Sequence, residues 1–262
     1  MSKSNRLALL VVLHTWKALF LREVVARIST ERAGWLWILF EPLTLVGFML
    51  VLYGTIHVKT IGGIDTFIWL LAGVLPFFTF RRTATQSMNA INANRALFAY
   101  RQVKPVDTVL VRSGAELFLM VIVSIISFVI VGLLGHDVFP VDPLNVLTGF
   151  FGLWLLALGF GLISSIIIEL IPGLERIFVF VMRPMYLISG VALPMTSIPP
   201  EVRHWLLLNP IVHAIEGVRL AFAPFYHAIP ELDLLYVYES ALVLIFLGLA
   251  LQLHFSDRMM ME

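Results

Sequence analysis

The sequence predicts an all-α membrane protein: six transmembrane helices, an amphipathic helix before them and two short helices dipping in from the outer side. Three observations carry that expectation. Of 262 residues, 60% are hydrophobic and 13% charged, about half the charge of an ordinary soluble domain. The apolar residues gather in runs of bilayer-crossing length. The basic residues gather in two segments, which sets the direction of the chain. This composition excludes a cytosolic enzyme, a nucleic-acid binder and a disordered chain. A formal net charge of +1 leaves no global field, and the absence of cysteine excludes disulfides, thiolate metal ligands and cysteine nucleophiles.

A helix crossing the hydrocarbon needs about 20 mostly apolar residues. Spans are predicted at about 34–56, 66–93, 108–134, 145–168, 176–193 and 234–255, so residues 34–262 form one transmembrane domain. The fully apolar part of the second span is only its first 15 residues, up to Arg81 and Arg82. Basic residues stay on the cytoplasmic side. Residues 1–33 hold six (Lys3, Arg6, Lys17, Arg22, Arg27, Arg32) and 81–112 hold six more (Arg81, Arg82, Arg95, Arg101, Lys104, Arg112), whereas 135–144 hold none. Both termini are therefore expected inside.

Residues 1–33 do not read as a signal peptide, because charges interrupt the stretch after 7–13 and no small-residue cleavage site follows. Leu9, Leu13, Trp16, Phe20 and Val24 interleave with Lys17, Arg22 and Arg27 at helical spacing. The pattern fits an amphipathic helix in the inner membrane interface; a helix packed on protein is the plainer alternative.

Two connections are unusual. Residues 83–94 are polar but free of Gly and Pro, so the second span can continue helically. A short helix over about 96–105 follows, ending at Lys104-Pro105 because the residue before proline is biased away from helix. Its apolar set, Leu97, Phe98, Tyr100 and Val103, is either packed on the bundle or a knob for another protein. Between spans five and six, residues 192–233 carry six prolines around two short apolar pieces, about 201–208 and 211–222. Each is too short to cross. A re-entrant pair hinged at Asn209-Pro210 is expected, since irregular backbone at membrane depth needs cover from protein or water.

Charges within spans mark pathways or pairs. Glu41 and Arg183 fall at similar depth and are expected either to pair, or to leave Arg183 facing a conduit. Each precedes a proline, which predicts kinks. Arg81 and Arg82 either snorkel to the interface or sit inside the protein where an anion meets them. There is no G-x-x-x-x-G-K-[ST] phosphate loop and no H-E-x-x-H zinc motif. His213 and His227 read as structural residues, and the serines and glycines of the spans as helix-packing residues.

The run from Arg32 to Leu43 (RAGWLWILFEPL), the segment from Asn209 to Arg219 (NPIVHAIEGVR) and residues 97–107 resemble the corresponding parts of type-2 ABC exporter permeases for polysaccharides. Within that family the likeness is greatest to the inner-membrane permease of group 2 capsular polysaccharide export, and it covers nearly the whole chain. The resemblance implies the ABC-2 type exporter fold in a bacterial inner membrane, no enzyme activity or cofactor in this chain, and no nucleic-acid partner. It implies a homodimer whose two cytoplasmic ATPase subunits bind ATP and Mg, and a periplasmic polysaccharide co-polymerase. The cargo would be a lipid-linked acidic polysaccharide. It further implies a conduit lined by spans one and five, with Trp35, Trp37, Phe40, Glu41, Arg81, Arg82, Phe178, Arg183 and Tyr186 as candidates and Phe180 beside them. Leu97, Phe98, Tyr100, Arg101 and Lys104 would couple to the ATPase. Trp205, Asn209, Pro210, His213 and Arg219 would belong to an outer gate. An O-antigen or teichoic acid permease is the nearest alternative, and a membrane-embedded enzyme or scaffold without an ATPase the one of different class.

Overall fold

The computed structural model describes residues 3–29, 34–55, 57–99, 103–171, 173–223, 225–226 and 229–261; for residues 3–11, 28–29, 34–35 and 256–261 it describes the backbone alone. The chain is helical almost throughout. In order come α1 (Lys3–Ser29), α2 (Gly34–Thr55), a hairpin of β1 (Thr60–Ile61) and β2 (Ile64–Asp65), α3 (Thr66–Met88), α4 (Ala90–Asn94), a 3-10 turn (Arg95–Ala99), α5 (Pro105–Leu133), α6 (Pro143–Leu170), α7 (Leu174–Ile188), a second 3-10 turn (Met195–Ser197), α8 (Pro200–Leu206), α9 (Pro210–Phe222) and α10 (Leu234–Met261).

Helix α3 is the axis of the bundle, packed against α2, α5, α6, α7 and α9. Trp69, Leu70, Leu71, Phe77 and Phe78 along it are buried. It is the least apolar of the long helices and the most covered, because its polar residues face protein rather than lipid. The Thr79 hydroxyl donates to the Leu75 carbonyl (3.0 Å), so the helix satisfies it internally. Helix α3 is capped by Asp65, whose carboxylate accepts from Phe67 N–H (2.9 Å) and Ile68 N–H (3.4 Å). A cap of this kind contributes about 1 kcal/mol.

Helix α10 lies along α6 at close range. A Cβ added to Gly159 would stand 2.7 Å from Leu244 Cβ and 2.9 Å from Ile245 N, so glycine sets the helix separation, as small residues do between membrane helices. Across the same seam Gln252 Nε2 donates to Leu162 O (3.2 Å) and Ser165 Oγ (3.0 Å), and the Tyr238 hydroxyl donates to Thr148 O (2.8 Å).

Several expectations need correction. Five helices among the described residues, α2, α3, α5, α6 and α10, are long and apolar enough to cross a membrane. The segment predicted as a fifth span over 176–193 is α7, 15 residues or about 22 Å long, followed by turns. Span three begins at Pro105 rather than 108, because proline is well placed at the first helical position and Asp107 accepts from the Lys104 N–H (3.0 Å). Of the helix expected over 96–105, residues 95–99 form a five-residue 3-10 turn and residues 100–102 lie outside the described residues. Phe98 in that turn (9% exposed) and Val103 after it are buried beside Leu19, Ile91 and Val109. Helices α2 and α7 continue through Pro42 and Pro184. The all-α expectation omits the small hairpin, although Gly62 and Gly63, both at positive φ, are a turn signal readable in advance.

Helix α1 packs on protein through Leu19, which is buried against the α4–α5 region; Val24 is buried too, while Val12, Leu13 and Leu21 are exposed. Trp16 Nε1 donates to Asp107 Oδ1 (3.0 Å), tying α1 to the start of α5.

Replacing Gly159 by valine is expected to lower the thermal midpoint of the detergent-solubilised protein, because overpacking of this kind costs about 1–3 kcal/mol. Gly114→Ala, where no atom lies within 4 Å of the added Cβ, should leave it unchanged; fluorescence-detected size exclusion after heating reads both.

Candidate substrate path and its two polar clusters

At the N-terminal end of α2, Trp37 and Phe40 stand one turn apart with rings nearly parallel (10°) and centroids 6.4 Å apart. Trp37 is 74% exposed and Phe40 is also exposed. The next residue, Glu41, pairs with Arg81 and with Arg82 Nη1 (3.2 Å). The Arg81 guanidinium lies 4.5 Å from the centroid of the Phe78 ring, a cation–π contact. Trp37, Phe40, Glu41, Phe48, Phe78 and Arg81 line an open cavity of about 580 Å³. Rings presented flat to open space beside guanidinium groups suit a ligand with apolar CH faces and negative charge.

Glu41 therefore takes partners on α3 rather than Arg183 within the chain, and Arg183 is exposed. The Trp35 side chain lies outside the described residues. Phe178 and Tyr186 turn away from the α2 cavity. Phe178 meets Phe160 edge-on (5.6 Å), and Tyr186 meets Phe77 edge-on (5.6 Å). Phe180 is exposed.

A second cavity, about 710 Å³, adjoins the first and shares Trp37 with it; Arg22, Glu23, Arg27, Arg82, Gln86 and Arg112 line it. This cluster is wider than the sequence reading foresaw. Glu116 on α5 is 1% exposed and sits between Arg27 Nη1 (2.7 Å) and Arg82 Nε (3.4 Å). Glu23 on α1 lies 3.5–3.9 Å from Arg22, Arg27 and Arg112. Arg22 also donates to Asn94, and Arg112 donates to Gln86 Oε1 and Asn89 O, both 3.2 Å. Four helices, α1, α3, α4 and α5, meet through these charges, with α2 joined by Glu41. The signal was present in the sequence as two pairs spaced i,i+4, Glu23/Arg27 and Arg112/Glu116. Spacing within a helix marks each pair but not which helices bring the two pairs together.

Of the expected coupling residues, Phe98 is buried and Leu97 half-buried, Lys104 is exposed, and Tyr100 and Arg101 lie outside the described residues. Arg95, at the start of that turn, pairs with Glu169 at the end of α6 (2.7 Å).

The residues expected at an outer gate divide sharply. Trp205 on α8 is exposed. Asn209 caps α9, its Oδ1 accepting from Ile211 N–H (3.1 Å) and its Nδ2 donating to Ser189 Oγ (3.0 Å); Pro210 opens the helix. His213 is structural, as expected. Its Nδ1 accepts from Asp233 N–H (3.0 Å), which leaves Nε2–H to donate to Leu207 O (2.8 Å). His227 lies outside the described residues.

Arg219 is wholly buried (0% exposed). Its guanidinium stacks 3.5 Å from the centroid of the Trp69 ring and donates to Gly190 O (2.8 Å), Val191 O (3.0 Å) and Glu216 Oε1 (2.7 Å). Glu216 Oε2 accepts from the Tyr226 hydroxyl (2.7 Å). Burial first, and the neighbouring Glu216 carboxylate second, push the Tyr226 phenol above its usual range, so it remains a donor. Gly73 on α3 makes room, since a Cβ there would collide with Arg219 Nη2. The network pins the break after α7 to both α3 and α9. Tyr53 extends the hold to α2 by donating to Ala192 O (2.6 Å).

Breaking this buried pair by Arg219→Met is expected to destabilise the protein by about 3–5 kcal/mol, because Glu216 keeps a desolvated charge. Adding Glu216→Met should return most of that loss. Thermal midpoints of the two single and the double variant in one detergent give the cycle; equal losses in all three would contradict it.

Residues 14–223 match the family model described as ABC-2 type transporter. The chain is 36% identical to the polysialic acid transport protein KpsM of Escherichia coli, over 90% of this chain and 92% of that protein. It is 26% identical to the capsule polysaccharide export inner-membrane protein CtrC of Neisseria meningitidis serogroup A, over 91% and 90%. It is 24% identical to the capsule polysaccharide export inner-membrane protein BexB of Haemophilus influenzae, over the same shares. On both the family match and the likeness to KpsM, this chain belongs to the ABC-2 type transporter family.

Proposed function

We propose that this chain is the permease subunit of an ATP-driven exporter moving a lipid-linked acidic capsular polysaccharide across a bacterial inner membrane. The stacked, exposed Trp37–Phe40 pair beside Arg81 and Arg82 carries the reading. Sugar rings offer CH faces to flat aromatic rings, and carboxylate or phosphate groups take guanidinium forks. The names of the relatives, given to polysialic acid transport and capsule polysaccharide export proteins, support the choice of cargo.

In this reading two copies form the conduit, with α2 and α7 facing it. Both helices leave wide faces uncovered, including Phe48 and Val51 on α2 and Ile177, Phe180 and Leu187 on α7. Helix α7 with the turns after it makes a short sixth crossing. Helices α8 and α9 form the re-entrant outer pair, and the basic segments place both termini in the cytoplasm. Two separate ATPase subunits bind ATP and Mg. They press on the segment around Leu97 and Lys104, and Phe98 anchors that segment to α1 and α5 from within. A polymer of many repeats cannot fit one alternating cavity, so it advances stepwise through a continuous path toward a periplasmic co-polymerase.

Deleting the gene and restoring it in trans tests the reading. Wild type should return polymer to the cell surface. Trp37→Ala with Phe40→Ala should reach the membrane at the same level, since both side chains are exposed, yet leave polymer inside the cell. Surface polymer unaffected by the deletion, or fully restored by the double variant, would overturn it. Purification of the wild type from that strain should also bring down an ATPase subunit.

A further inference from the structure

The charged cavity between α1, α2, α3 and α5 has more cation than its carboxylates answer. Among the described residues four guanidinium groups line it, Arg22, Arg27, Arg82 and Arg112, against one lining carboxylate, Glu23, with Glu41 reaching Arg82 from α2. Glu116 behind it is shared between Arg27 and Arg82, and Glu23 among Arg22, Arg27 and Arg112. Three buried guanidinium nitrogens consequently have no hydrogen-bond acceptor among the described residues: Arg27 Nη2, Arg82 Nε and Arg112 Nε. Their nearest carboxylate oxygens stand at 3.9, 3.4 and 3.7 Å, as charge contacts rather than hydrogen bonds. Buried polar atoms are satisfied in native proteins with few exceptions, and a buried charge short of a partner is costly. Glu116 Oε1 and Oε2 likewise lack a donor at hydrogen-bond geometry among the described residues, but Glu116 does not line the cavity; the free donors of Arg27, Arg82 and Arg112, from three helices around it, mark the place of an oxyanion.

We propose that this cavity binds the phosphate group of a lipid, with Arg27, Arg82 and Arg112 as its donors. A tetrahedral phosphate offers several acceptor oxygens and up to two negative charges, which matches three guanidinium groups and the surplus of cation. The lipid part follows from the neighbouring cavity. Trp37 lines both, and beyond it a slot along the uncovered face of α2 is lined by Phe40, Leu45 and Phe48 together with Thr44, Glu41 and Arg81. A phosphate seated among the arginines thus places the chain attached to it on that slot. The inference deepens the exporter reading, and rests on it for the origin of the lipid, by assigning the site where a phosphate-bearing lipid end is held.

Titration of the purified full chain in a zwitterionic detergent tests this, with dihexanoyl phosphatidic acid, dihexanoyl phosphatidylcholine and inorganic phosphate as probes. Phosphatidic acid should bind at least about tenfold more tightly than either of the others, and Arg112→Gln should weaken it by a similar factor. Gln86→Glu keeps the shape of the cavity wall and adds a negative charge; it should weaken binding likewise, and serves where Arg112→Gln does not fold. Arg95→Gln, which alters a cation outside this cavity, should bind as wild type does. Equal binding of phosphatidylcholine, or full affinity in Gln86→Glu, would overturn the site. Inorganic phosphate binding as tightly as phosphatidic acid would overturn its assignment to a lipid. Binding is read on the isolated chain, so a wild type that binds phosphatidic acid but exports no polymer refutes the exporter reading alone.

Discussion

Charge placed inside a bilayer has to be answered by protein, because hydrocarbon offers neither counter-ion nor hydrogen bond. Helix α3 is where this chain meets that demand. At one end the Trp69 ring carries the Arg219 guanidinium, and at the other Arg81 and Arg82 take Glu41, with Arg82 also reaching Glu116. A helix that carries two such clusters cannot face lipid, so it occupies the middle of the bundle and the more apolar α2, α5 and α6 pack around it. Position in the fold follows from polarity, even though α3 is the least oily of the long helices.

The two clusters differ in how completely they are closed. Around Arg219 every guanidinium nitrogen has an acceptor, at 2.7–3.0 Å for the Nη atoms and 3.4 Å for Nε on Trp69 O, Glu216 is held from both sides, and the ring of Trp69 covers the cation. Such a network fixes geometry, here the turn between α7 and α8 against α3 and α9. Around Arg27, Arg82 and Arg112 one short contact, Arg27 to Glu116, stands beside others of 3.4–3.9 Å, and the arginines border a cavity rather than packed atoms. One end is built as a joint, the other as a receptacle.

The sequence made the membrane class, the long helices and most of their limits readable, because hydrophobic length is set by the bilayer and leaves its mark in consecutive residues. Tertiary pairing was less readable. Glu41 could be recognised as a charge in need of a partner, yet depth along a helix says nothing of the direction a side chain points, so Arg183 at equal depth looked as suitable as Arg81 and Arg82. The charges around Phe98 and Val103 left open whether they pack on the bundle or meet another protein; both are buried against α1 and α5. Arg219 lay in a short apolar piece with Glu216 three residues before it, a spacing that marks a pair; its complete burial depends on Gly73 of a helix some 150 residues away. The inner arginine cluster draws on residues from 22 to 116, and no local pattern announces an assembly drawn from so many helices.

Helix α2 has an unusual balance of forces. Little of it is covered by the rest of the chain, so packing contributes less to its position than it does for α3 or α6. Two polar ties hold it instead, Glu41 to Arg81 and Arg82 near its start and Tyr53 to Ala192 near its end. The first tie occupies guanidinium groups that border the aromatic slot. A displacement of α2 away from α3 would therefore separate Glu41 from them and present free cation to the same open space that Trp37 and Phe40 line. Opening the slot and making it more attractive to an anion are one event, because a single carboxylate both holds the helix and neutralises the arginines beside it.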